Sequence, residues 1–163
     1  FDFAGGRGIN VDGNLGSTAA SSISMWIYKT SAAGQYITDG RNNGGQWFLS
    51  NYTSFNYNWY NTLRYNYDAT FNASAPEFIN KWIYMVTVSD STGSKLYLNG
   101  QEVIGAYENS ADEDFGINYR IGTRYTTSTP WTGLMGPIHF YNKKLTADEV
   151  LQNFNASRDR FKI

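Results

Sequence analysis

Apolar and polar positions alternate along most of this chain, and the period is that of strands. Residues 22–29 put Ile23, Met25 and Ile27 on one face and Trp26 and Tyr28 on the other. Apolar groups on both faces predict a strand covered on both sides, inside a sandwich. Further short strands are expected at 1–4, 7–11, 35–38, 46–50, 54–60, 63–67, 81–89, 119–123 and 131–141. A turn-rich link at 12–21, a polar glycine-rich loop at 39–45 and an acidic loop at 108–114 separate some of them. The clearest hairpin is 96–98, Asn99-Gly100, then 101–104, because Asn-Gly accepts the positive φ angles of a type I′ turn. Roughly ten or more strands at this spacing predict an all-β sandwich.

The period changes once, after residue 144. Thr146 with Glu149 three residues later forms a capping box, and Leu145 with Val150 is placed as a hydrophobic staple. Ala147, Val150, Leu151 and Phe154 then follow helical spacing and predict an apolar stripe on a single short helix over about 146–156.

Composition agrees with this pattern and removes several functions. The chain has 163 residues with 13 Tyr, 10 Phe and 5 Trp, and aromatics suit pleated, half-buried surfaces. No linker, repeat or low-complexity block interrupts it, so one domain is expected over 1–163, and the start at Phe1 suggests a mature fragment or a domain of a longer protein. With 13 basic and 14 acidic residues and no basic stripe, nucleic acid is not an expected partner. No apolar run approaches the ~18 residues of a membrane span, so membrane insertion is not expected. The absence of cysteine rules out disulfides and thiolate metal sites. Three sequons, at Asn51, Asn72 and Asn155, are about what chance gives in a chain this rich in Asn, Ser and Thr, and carry no inference.

The densest aromatic stretch is 47–71. Phe55, Tyr57 and Trp59 share one parity, Asn56, Asn58 and Tyr60 the other, and Tyr65 and Tyr67 pair alongside across a turn at Asn61-Thr62. Trp47, Tyr57, Trp59, Tyr65 and Tyr67 are therefore candidates for a platform on which sugar rings stack, with Arg64 and the asparagines supplying hydrogen bonds. The same residues also fit ordinary packing or a subunit contact, since cross-strand aromatics stabilise sheets. His139 is the only histidine, and its neighbours Ile138 and Phe140 take the other face of the strand, which turns His139 outward. Nothing pairs it with a nucleophile and an orienting group, so no catalytic residue is expected from it.

Four segments carry a resemblance to a known family. They are Ser22-Ile23-Ser24-Met25-Trp26-Ile27, Asn80-Lys81-Trp82-Ile83-Tyr84-Met85-Val86, Lys95-Leu96-Tyr97-Leu98-Asn99-Gly100, and Trp131-Thr132-Gly133-Leu134-Met135 through Tyr141-Asn142 with Leu145-Thr146 and Glu149. In order and spacing they resemble the laminin G-like branch of the concanavalin A-like lectin/glucanase superfamily. The resemblance implies a jelly-roll sandwich of two antiparallel sheets, one concave, with Trp26 and Trp82 in structural positions. It implies a binding module more often than an enzyme. Glucanases of the superfamily carry Glu-x-Asp-x-Glu on a concave strand; this chain lacks it, and the nearest run, Asp112-Glu113-Asp114, lies in the expected acidic loop. Laminin G-like domains often hold one Ca²⁺ at a loop rim, which makes Asp39, Asp90, Asp112 and Asp114 the candidate ligands, since calcium takes six to eight oxygens. The ending 151–161 is similar to that of such domains in phage and large-virus virion proteins. The expected function is thus non-catalytic recognition or adhesion through glycans, on a virion surface or in another extracellular setting. The alternative is a capsid decoration or virion surface protein whose jelly roll packs against neighbouring proteins or copies of itself.

Overall fold

The computed structural model describes residues 2–3, 8–14, 20–31, 35–40, 46–51, 54–59, 69–71, 79–90, 93–103, 117–124 and 130–163. Its elements in chain order are β1 (Ile9–Asn14), β2 (Ala20–Lys29), β3 (Gln35–Asp39), β4 (Gln46–Asn51), β5 (Ser54–Trp59), β6 (Ala69–Phe71), β7 (Trp82–Asp90), β8 (Gly93–Leu98), β9 (Gln101–Glu102), β10 (Ile117–Ile121), β11 (Gly133–Tyr141), α1 (Ala147–Ser157) and a closing 3-10 turn, Arg158–Phe161. Among the described residues the strands form two antiparallel sheets, one ordered β1-β10-β3-β4-β5-β6 and the other β11-β2-β7-β8-β9. The expected two-layer antiparallel sandwich with one short C-terminal helix is what the chain adopts. The strand expected at 63–67 lies outside the described residues. Of the strand expected at 1–4, Asp2 and Phe3 are described, and they add only a single bridge from Asp2 to Leu134 and the bond from the Phe3 N–H to the Gly133 carbonyl.

The alternation in β2 explains both layers of the core. Ile23, Met25 and Ile27 meet Ile83, Met85 and Leu96 of their own sheet and Ile37, Tyr119 and Ile121 of the other. Tyr119 crosses the gap to Phe140 edge-on, with ring centroids 5.3 Å apart. The opposite face of the same sheet is covered as well: Trp26, Tyr84, Val86, Val88 and Tyr97 pack under Leu145, Val150 and Phe154. This is why β2 is apolar on both sides.

The helix starts where its local signal places it. The Thr146 hydroxyl accepts the Glu149 N–H at 3.2 Å, and the Glu149 carboxylate accepts the Thr146 N–H at 2.9 Å. Lys143 also pairs with Glu149, and with the Thr146 N–H it holds the Glu149 carboxyl below its ordinary range. The buried stripe is narrower than the spacing suggests: Val150 and Phe154 are buried, whereas Leu151 is 37% exposed, beside the hairpin turn at Gly100. The far end is tied down by the Trp26 indole N–H, which donates to the Ser157 hydroxyl at 3.2 Å.

Three register shifts interrupt the ladders among the described residues, one in β1 between Val11 and Asn14 and the others in β11 and β3, where they bear on which side chains face inward. In β11, Met135 pairs with Ile27 and Ile138 with Met25, so three steps of one strand match two of the other. Pro137, which has no N–H to offer a ladder, sits in that bulge on an edge strand. In β3, Tyr36 pairs with Leu49 and Thr38 with Phe48, leaving Ile37 as the extra residue. The Ile37 carbonyl accepts the Gly122 N–H at 2.7 Å, so the bulge costs no hydrogen bond. The hairpin turn has Asn99 at φ 51° and Gly100 at φ 79°, as its sequence predicts. Asn99 does more than turn: its side-chain oxygen accepts the Tyr84 N–H at 2.9 Å and ties the hairpin to β7.

Candidate functional site

The six-stranded sheet carries two kinds of cross-strand row. Ile9 pairs with Ile121, Ile121 with Thr38, Thr38 with Phe48, Phe48 with Tyr57 and Tyr57 with Ala69. This is the core-side row, because Ile121 is buried in the sandwich core and the Tyr119 hydroxyl donates to Thr38 at 3.0 Å inside it. The adjacent row has the opposite parity. Asn10 pairs with Arg120, Arg120 with Asp39, Asp39 with Trp47 and Trp47 with Asn58. Paired residues in an antiparallel ladder share a face, so this row runs over the side of the sheet away from the core. Asn10 is exposed, Arg120 half-buried and Asp39 buried.

The candidate platform residues are therefore divided by register. Trp47 stands in the outer row, between two polar positions. Tyr57 stands in the core-side row, and Trp59, two residues on and opposite Gln46, has the parity of Tyr57. Arg64, Tyr65 and Tyr67 lie outside the described residues. Sequence reasoning did not single out Asn10 or Arg120, because their proximity to Trp47 depends on pairings across three strand boundaries.

Of the candidate calcium ligands, Asp39 belongs to β3 in one sheet and Asp90 to the end of β7 in the other, and Asp112 and Asp114 lie outside the described residues. The Asp90 carboxylate accepts the Lys144 ammonium at 2.8 Å. Among the described residues no group of three or more His, Cys, Asp or Glu side chains comes together. Asp39 is close enough to Tyr119 that its charge joins burial in pushing the Tyr119 phenol pKa up, against the lowering effect of the Thr38 hydrogen bond. His139 is exposed, as expected from its flanks, with Nδ1 3.4 Å from the buried Ser24 hydroxyl.

The sequence pattern of a laminin G-type family, described as the concanavalin A-like lectin/glucanases superfamily, matches residues 3–151. The chain belongs to the concanavalin A-like lectin/glucanases superfamily. No curated protein of similar sequence was found. Solved structures of the same fold include the botulinum neurotoxin serotype D ligand binding domain in complex with N-acetylneuraminic acid, with a TM-score of 0.74 at 16% identity over 92% of this chain and 40% of that one. The receptor binding domain of botulinum neurotoxin D superposes with a TM-score of 0.71 at 16% identity, over 92% of this chain and 41% of that one. That of the mosaic serotype C/D gives 0.67 at 15% identity, over 85% and 36%. At these identities the likeness is one of fold, and this superfamily member spans about two-fifths of the length of those chains.

Proposed function

We propose that this domain is a non-catalytic carbohydrate-recognition module whose site lies on the outer face of the six-stranded sheet, centred on Trp47. The observation that carries the reading is the outer row, in which an aromatic position is flanked by Asp39 and Asn58 and continued by Arg120 and Asn10. A pyranose ring packs its C–H face on the Trp47 indole, while Asn58 and Arg120 hydrogen-bond its hydroxyls; Asn10, three strands or about 14 Å away, meets a further unit of the glycan. Asp39, being buried, positions its neighbours rather than reaching the sugar. Tyr57 and Trp59 have the opposite, core-side parity in the register. The lectin fold supports the reading, and so does the sugar bound by one protein of the same fold, N-acetylneuraminic acid. The sequence lacks the Glu-x-Asp-x-Glu run of the superfamily's glucanases.

One ring on one indole gives an affinity on the order of mM, about -4 kcal/mol. Such a site becomes useful in many copies, through effective concentration. We therefore place the module outside the cell, on the surface of a virion or another multi-copy assembly. Glycan-array screening of the chain displayed in many copies tests the reading. The expected result is binding to a defined set of glycans that Trp47→Ala abolishes while the melting temperature holds. No bound glycan, or release of reducing sugar from one, overturns it.

A further inference from the structure

A cleft lies on the other sheet, away from the outer row. It is an open cleft of about 320 Å³ on the outer face of the five-stranded sheet, where β2 ends, β7 begins and the chain's final turn folds beside them. That is the lower end of the ~300–1,000 Å³ range of ligand clefts, enough for one substituted ring rather than an extended chain.

Its walls are aromatic. Tyr28 and Trp82 are partners in the β2–β7 ladder, with ring centroids 5.5 Å apart and planes tilted by 57°. Phe161 closes the other side, 4.8 Å from Trp82 and stacked on Trp26 at 4.1 Å. Phe161 is thus held between two tryptophans, and the final turn is a fixed wall of the cleft.

Its polar groups are all donors or amides. Lys81 and Lys162 supply two positive charges, Asn80 and Asn99 line the cleft with them, and no acidic side chain does. The Asn99 side-chain oxygen is committed to the Tyr84 N–H, so the amide's remaining hydrogen-bonding edge is its NH₂ group. Among the described residues, the three non-glycine residues with positive φ are Asn80 at 60°, Asn99 at 51° and Lys162 at 58°. All three line this cleft. Asparagine visits that region readily, but for lysine it is uncommon. Left-handed residues collect where the chain must present a group at a set place. Here the Lys162 conformation is fixed by its N–H, which donates to the Asp159 carbonyl at 3.2 Å.

Aromatic faces, two lysine side chains and amide donors, with no acidic side chain in the lining, together select an acceptor-rich anion with an apolar ring face. We propose that this cleft binds a carboxylated pyranose, the acidic terminal unit of a glycan: the ring packs on Trp82 and Tyr28, and its carboxylate meets Lys81 and Lys162. This site shares no residue with the outer row around Trp47 and does not rest on that reading.

The test is an NMR titration of the full chain with methyl β-glucuronide and, in parallel, methyl β-glucoside. The expected result is saturable shifts of the Trp82 indole and the Asn80 and Asn99 amides with the glucuronide only, weakened by added salt. The doubly substituted Lys81→Ala, Lys162→Ala protein, in which both changes are at exposed positions, is expected to weaken binding at least about tenfold with an unchanged spectrum. Trp47→Ala is expected to leave these shifts intact, so failure here and failure of the outer-row site are read separately. Equal binding of both sugars, glucuronide shifts that map elsewhere, an unweakened lysine variant, or no shift at all overturns the proposal.

Discussion

Lys29 is the residue whose chemistry departs most from its surroundings. It ends β2 on the core-side parity of Ile27 and is buried, and burial lowers its ammonium pKa from 10.5 to about 8. The folded state therefore binds fewer protons than the unfolded state between those values, and stability rises with pH across the interval. Tyr84 acts in the opposite sense higher up. Burial first of all raises its phenol from 10 to about 12, so the folded state keeps a proton that the unfolded chain releases above 10, and stability falls there. Tyr119 adds to that fall, its pKa being raised for the same first reason. Urea midpoints are expected to climb from pH 8 to about pH 10 and then decline. Lys29→Met is expected to remove the climb and leave the decline; a flat wild-type profile from pH 8 to 10 would show that the ammonium is solvated in the fold.

The elements differ in how far the chain announces them. The start of the C-terminal helix was legible to the residue, because a capping box is a local device: Thr146, Glu149 and the staple need no information from elsewhere. Thr146→Ala is expected to cost about 1 kcal/mol, while Phe154→Ala, which opens a hole over Trp26 and Tyr84, is expected to cost about 3–5 kcal/mol, both read from denaturant unfolding. Equal costs would mean that the helix is held by its cap rather than by its seat on the sheet. The Asn99-Gly100 hairpin was legible for the same local reason. The two bulges were not, since the extra residue at Ile37 or beside Pro137 is defined only against the partner strand. That has consequences for the site. Which of Trp47 and Tyr57 faces away from the core follows from a register that runs through the bulge, and a shift of one residue exchanges the faces. The parities within 54–60 were visible in the sequence; that Trp47 falls in the row of Asn58, opposite to that of Tyr57, was not. Nor was the cleft beside Trp82, whose walls come from residues 28, 82 and 161 and meet only once the last turn has docked.

At the scale of the molecule, the five-stranded sheet is covered on both faces, by the other sheet and by the C-terminal helix. The outer face of the five-stranded sheet carries α1 and the cleft under Phe161, and the proposed glycan site is placed on the other sheet, on the row that pairs Asn10, Arg120, Asp39, Trp47 and Asn58. Among the described residues no helix is long and apolar enough to cross a membrane. The most direct measurement is the chemical-shift map of the intact chain titrated with the strongest glycan from the array. The account predicts that the perturbed amides run laterally across the sheet, through Asn10, Arg120, Asp39, Trp47 and Asn58, and that Trp47→Ala erases them. Perturbations confined to the core-side positions Thr38, Phe48 and Tyr57, or scattered over both sheets without saturation, would contradict it.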